Sequence, residues 1–131
     1  MNKIKVLIVD DEVDFLCLME KRLESWGYEV IKASGGKEGL AAVKEKCPDI
    51  VLLDYSMPDM DGVLVLKEIR KFNQSLAVIM LTAHADVKNI KDAQELGVST
   101  FIPKLSSYTD VQASLRSALD MAQKKIRENK G

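Results

Sequence analysis

The chain has 131 residues, of which 47% are hydrophobic, and its 19 basic residues against 20 acidic ones give a net charge of −1. A single domain of this size buries roughly two-thirds of the surface that its unfolded chain exposes, which leaves no room for a second folded module. The balanced charge, without a basic face or tail, excludes the electrostatic footprint that direct nucleic-acid binding needs.

Near the N-terminus the apolar run at 4–9 is far shorter than the ~18 residues of a membrane span. It ends in Asp10-Asp11-Glu12 instead of a small-residue cleavage site, so neither a secretion signal nor a span is expected and the expected location is the cytoplasm. Residues 6–9 read as the first strand. Phe15, Met19, Leu23 and Trp26 then recur at steps of three or four, as one face of a helix does. Residues 30–33 read as a second strand, followed by Ser34-Gly35-Gly36-Lys37-Glu38-Gly39, which matches neither the P-loop nor the dinucleotide pattern. Residues 50–53 form a third strand, Val65, Ile69 and Phe72 mark a helix, and 78–81 and 98–102 supply the fourth and fifth strands. The last helix carries Val111, Leu115, Ala118, Leu119, Ala122 and Ile126 on one face, with Ser107 and Asp110 as a capping start. The domain is expected over 1–125, with 126–131 a C-terminal tail or the start of a linker. Cys17 and Cys47 match neither a redox pair nor a zinc site and read as reduced thiols.

The runs at 6–9, 50–53 and 78–81 are apolar at every position, the pattern of strands covered on both faces. Strictly alternating strands and helices with right-handed crossovers give an α/β doubly wound parallel sheet, and five strands suit the flavodoxin-like (βα)5 order 2-1-3-4-5. Such sheets bind ligands beyond the carboxyl ends of the strands, where the strand order reverses.

Asp10, Asp11 and Glu12 stand just past the first strand, Asp54 just past the third, Thr82 at the end of the fourth and Lys104 after the fifth. Carboxylates ~4 Å apart repel by about 4 kcal/mol at an effective dielectric near 20, which raises their pKa values unless a cation sits among them. An all-oxygen ligand set favours Mg²⁺ over zinc. A carboxylate such as Asp54 can attack phosphorus, and catalysis of that step is mostly positioning and charge stabilisation, here from the metal and Lys104.

On Val9-Asp10-Asp11-Glu12, Asp54-Tyr55-Ser56-Met57-Pro58-Asp59-Met60-Asp61-Gly62, Thr82-Ala83 and Phe101-Ile102-Pro103-Lys104, the chain resembles the response-regulator receiver family over essentially its whole length. The resemblance implies a phosphorelay switch in which Asp54 takes a phosphoryl group from a partner's phosphohistidine. Asp11 would bind Mg²⁺ directly with Asp54 and the Ser56 carbonyl, and Asp10 largely through water. Thr82 and Phe101 would carry the change to the surface made by the fourth helix, fifth strand and fifth helix. Ser56 and His84 hold the positions that tune dephosphorylation. The implied partners are a sensor histidine kinase or histidine phosphotransfer protein, a downstream effector or attached output domain, and a second copy through the switch surface.

The family usually places proline after the lysine, in a cis bond; here Pro103 precedes Lys104 and Leu105 follows it, so a trans Lys104–Leu105 bond is expected. Gly62 is expected to provide a positive φ at the turn into the next helix. Two rival functions remain. A haloacid-dehalogenase-like phosphatase would need a second aspartate where Ser56 stands, so a conventional turnover enzyme is not expected. An unphosphorylated receiver-like interaction module is the alternative reading.

Overall fold

The computed structural model describes residues 3–82, 87–104 and 108–130. Strands and helices alternate as β1 (Lys5–Val9), α1 (Val13–Ser25), β2 (Glu29–Ala33), α2 (Gly36–Lys46), β3 (Ile50–Asp54), α3 (Gly62–Phe72), β4 (Ala77–Thr82), α4 (Val87–Glu95), β5 (Thr100–Pro103) and α5 (Tyr108–Lys130). The strands form one parallel sheet in the order β2-β1-β3-β4-β5.

The uninterrupted apolar strands follow from burial on both faces, because alternate residues feed two separate cores. Val6, Ile8, Ile50, Leu52, Ile79 and Leu81 pack with Leu16, Met19 and Leu23 of α1 and Leu115 and Leu119 of α5. Leu7, Val9, Val51, Leu53, Val78 and Met80 turn the other way, onto α2, α3 and Ala93 of α4. A one-residue slip in any central strand would exchange the two sets, so the packing fixes the register. That register aligns Val9 with Leu53 and sets Asp54 opposite Leu81, which brings the ends of β1, β3 and β4 to one edge.

Three local expectations differ from the structure. β5 begins at Thr100, not at residue 98, because Gly97 at φ +75° ends α4 and the Val98 amide donates back to the Ala93 carbonyl at 3.1 Å. Val98 thus serves the helix terminus while packing on the core. Phe72 is 46% exposed; the buried stripe of α3 is Val65, Leu66 and Ile69, and the Phe72 ring instead lies 5.2 Å from the Lys44 ammonium. Phe15 and Trp26 flank their stripe half-buried, with Leu16 facing inward between them.

Helix α5 is tied down along its length. The Arg116 guanidinium stacks 5.1 Å from the Trp26 ring centre, the Tyr28 hydroxyl donates to Gln123 Oε1 at 3.2 Å, and Ile126 packs on the core. The helix continues without a break to Lys130. Among the described residues, no helix is long and apolar enough to cross a membrane.

Candidate functional site

The parallel strands deliver polar side chains to the edge where their carboxyl ends meet. Asp10 follows β1 directly, with no exposed surface; its amide donates to the Ala33 carbonyl at 3.0 Å and its Oδ1 accepts the Glu12 amide at 2.9 Å. Asp54 is the last residue of β3 and Thr82 the last of β4, each 4% exposed. The Lys104 amide donates to the Thr82 carbonyl at 2.7 Å, anchoring the chain just past β5. From there the Lys104 ammonium donates to Asp10 Oδ2 at 2.8 Å and Glu12 Oε1 at 3.0 Å, and stands 3.8 Å from Asp54 Oδ1. Asp11 is exposed at the rim, yet one carboxylate oxygen each from Asp10, Asp11 and Asp54 all lie within 4.8 Å of one another.

Burial governs the electrostatics. It pushes the Asp54 carboxyl up to about 7, and the neighbouring Asp10 charge adds to this, while Lys104 and a hydrogen bond from the Ser56 amide oppose it. Burial also raises Asp10, against the pull of Lys104 and the Glu12 amide. For Lys104, burial favours the neutral amine, but its bonds to Asp10 and Glu12 and the charges of Asp10 and Asp54 outweigh that and hold the ammonium protonated. Three carboxylate oxygens gathered around one point, with neither histidine nor thiolate among them, fit a hard divalent cation such as Mg²⁺.

The loop from Asp54 to α3 is fixed at several points. The Tyr55 amide donates to the Leu81 carbonyl at 2.8 Å, the Gly62 amide to the Tyr55 carbonyl at 2.6 Å, and Met57 is buried. Asp61 caps α3, its Oδ1 accepting the Leu64 amide at 2.8 Å. Gly62 has no positive φ: among the described residues that conformation belongs to Gly27, Gly97 and Cys47. Close approach is what requires glycine there, since a Cβ would fall 2.7 Å from the Asp54 carbonyl oxygen and 2.8 Å from the Tyr55 Cα.

Asp10, Asp11, Asp54, Thr82 and Lys104 therefore converge as the strand ends suggested. Ser56 lies exposed two residues beyond Asp54, and Phe101 is half-buried against the α2–α4 core. His84, Leu105 and Ser107 lie outside the described residues, and with them the Lys104–Leu105 bond. Two contacts escaped sequence reasoning. Asp59 accepts the Gly36 and Lys37 amides at 3.0 Å each, capping α2 from the β3–α3 loop, because the Gly35 N-cap has no side chain to do so. Phe15 lies under the Lys104 ammonium, 4.5 Å from ring centre to nitrogen. The helical period marked Phe15 only as core, and nothing local marked Asp59.

Comparison with known proteins agrees with this geometry. The family model described as the response regulator receiver domain matches residues 6–116. The probable transcriptional regulator ycf27 of Porphyridium aerugineum is 39% identical over 98% of this chain and 53% of its own length. The transcriptional regulatory protein ZraR of Escherichia coli K12 is 34% identical over 90% of this chain and 27% of its own. The chain thus spans between about a quarter and a half of these curated relatives. Among solved structures, a CheY-like receiver domain protein from Methanospirillum hungatei JF-1 superposes with a TM-score of 0.84 at 30% identity, covering 95% of this chain and 99% of that one. A receiver domain protein from Clostridium thermocellum gives 0.79 at 34% identity, covering 94% and 98%. With its matched sequence, its strand order and its acidic strand-end pocket, the chain belongs to the response regulator receiver family of two-component signalling.

Proposed function

We propose that Asp54 is the phosphoacceptor of this receiver and that Lys104 and Thr82 receive the phosphoryl group it takes. Phosphorylation on aspartate is general to the family, and receiver domains work with histidine kinases and output domains. The observation that carries the assignment is the placement of Asp54 at the floor of the pocket, within 4.8 Å of the Asp10 and Asp11 oxygens and 3.8 Å from the Lys104 ammonium.

A carboxylate oxygen of Asp54 forms the new O–P bond as the N–P bond of a phosphohistidine on a sensor histidine kinase or histidine phosphotransfer protein breaks, and the imidazole leaves with the electron pair. Asp10, Asp11 and Asp54, with the Ser56 carbonyl, would hold Mg²⁺, which when bound neutralises charge on the transferring oxygens. Lys104, 3.8 Å from Asp54, adds a second positive charge. The Thr82 hydroxyl then turns to a phosphoryl oxygen, and Phe101 moves inward. Carrying such a switch from 1:99 to 99:1 takes about 5.5 kcal/mol, within reach of a few charge-assisted hydrogen bonds.

The surface that changes is made by α4, β5 and α5, where Phe101, Ala113, Ser117 and Met121 line a groove of about 800 Å³. Through it the chain would meet a downstream effector, an attached output domain or a second copy of itself, in the cytoplasm. The receiver unit is taken as residues 1–125, with 126–131 a C-terminal tail or the start of a linker, although α5 itself runs on to Lys130. Ser56 and His84 set the lifetime of the phosphoryl group.

Incubation with Mg²⁺ and acetyl phosphate, followed by intact mass, tests the assignment. The expected result is a gain of one phosphoryl group, abolished by Asp54→Ala. An unchanged mass in the parent would instead identify an interaction module that is not phosphorylated.

A further inference from the structure

Among the described residues, the nearest partners of the Lys104 ammonium come from the junction of β1 and α1. Asp10 follows the strand, Glu12 is the N-cap residue of α1, and Phe15 lies in that helix's first turn. Asp10 and Glu12 accept hydrogen bonds at 2.8 and 3.0 Å, and the Phe15 ring centre is 4.5 Å from the nitrogen. Phe15 is itself half-buried against the α1–α5 core, so its ring is held in place, and only 9% of the Lys104 side chain is exposed.

These contacts differ in what they ask of the ammonium. A lysine carries three N–H donors on a flexible four-carbon stem. Two donors meet Asp10 and Glu12, while Asp54 Oδ1 stands at 3.8 Å, beyond hydrogen-bond range. An aromatic face attracts the cation through its quadrupole without requiring a directed N–H bond. Glu12 is largely exposed, so its bond to Lys104 is screened by solvent more than the contact with the half-buried ring.

We propose that Phe15 is a positioning residue for Lys104, its ring face fixing the ammonium beside Asp54 so that a donor can turn to an incoming phosphoryl oxygen. This rests on the reading of Asp54 as phosphoacceptor. A ring serving only as core filler would be replaced well by leucine or methionine, whereas a ring holding a cation is replaced only by another aromatic.

The test uses the full chain with Mg²⁺ and acetyl phosphate, comparing Phe15→Leu, Phe15→Met, Phe15→Tyr and Phe15→Trp. Denaturant midpoints select conditions in which every variant is folded. Leucine and methionine should slow phosphorylation by about threefold to tenfold, with tyrosine and tryptophan within about twofold of the parent. A leucine variant as fast as the parent, or aromatic variants as slow as leucine, would overturn the proposal. A second readout needs no phosphorylation: the Lys104 ε-methylene protons should be shifted upfield by the ring current in the parent and lose that shift in Phe15→Leu. Finding them in the parent at the position of an exposed lysine would also overturn it. A parent that takes no phosphoryl group would refute the phosphoacceptor reading, while the ε-methylene shift would still decide whether Phe15 holds Lys104.

Discussion

Two aspartates five residues apart, one ending β3 and one in the loop that follows, meet opposite electrostatic fates. Asp54 lies on the pocket floor, where burial and the Asp10 charge lift its carboxyl to about 7. Asp59 lies at the N-terminus of α2, where the amides of Lys37 and Gly36 hold its carboxyl below the ordinary range. The first is a carboxylate kept in an unfavourable place, suited to a divalent cation or a phosphoryl group; the second is a structural cap. Environment, not residue type, sets the two carboxyls apart.

The sharpest way to break that contrast is to remove each charge and follow stability against pH without divalent metal. Unfolded aspartate titrates near 4, whereas folded Asp54 holds its proton to about 7. As pH rises through that window the unfolded chain ionises first, so the folded state loses stability between about 4 and 7 and regains none above. Asp54→Asn should therefore stabilise the metal-free protein by about 1 to 3 kcal/mol at pH 8 and hardly at all at pH 4, read from urea unfolding. Mg²⁺ should narrow the gap by stabilising the parent more than the variant. Equal stabilisation at both pH values would mean that Asp54 is not a strained carboxylate.

Gly62→Ala probes the backbone beneath the pocket. Its Cβ meets the Asp54 carbonyl oxygen at 2.7 Å, and backbone cannot move aside as a side-chain tip can. A loss of about 1 to 3 kcal/mol is expected, with weaker Mg²⁺ binding by calorimetry because the displaced atoms belong to Asp54 and Tyr55. An unperturbed Mg²⁺ affinity would separate the α3 turn from the site.

At the α2 cap the sign reverses. Asp59→Ala should cost about 1 kcal/mol at pH 6, the usual value of a lost N-terminal cap. Because the Asp59 pKa is depressed in the folded state, its contribution is full above the unfolded value near 4 and fades as pH falls through the folded one. A parent–variant difference that grows on acidification would contradict the capping geometry. The smallest effect lies away from both carboxylates, at the end of α2, where Cys47 has φ 47°. Cys47→Gly should raise stability by about 0.5 kcal/mol by relieving a left-handed conformation, with no change in the pH profile.

Much of the site was legible because parallel strands make it so. Three apolar runs that end in Asp10, Asp54 and Thr82, and a fifth strand followed by Lys104, place these residues on one edge once the strand order is known. The details of β5 were not legible, since Val98 is as apolar as any strand residue and only the Gly97 turn diverts it to α4. Phe72 fits the helical period yet stays outside, because period marks a face of the helix and not how far along it the sheet extends.

Asp59 and Phe15 mark the remaining boundary. Their partners lie 22 and 89 positions away in sequence, at Lys37 and Lys104, and nothing near either residue announces the pairing. The sequence by itself determined the alternating parallel fold and the set of groups at the strand ends, because periodicity and turn chemistry are local properties. Only the tertiary structure decided how far burial lifts Asp54, which face Phe15 offers to Lys104 and what caps α2. Those depend on distances and solvent exclusion that exist only after segments remote in the chain have packed together.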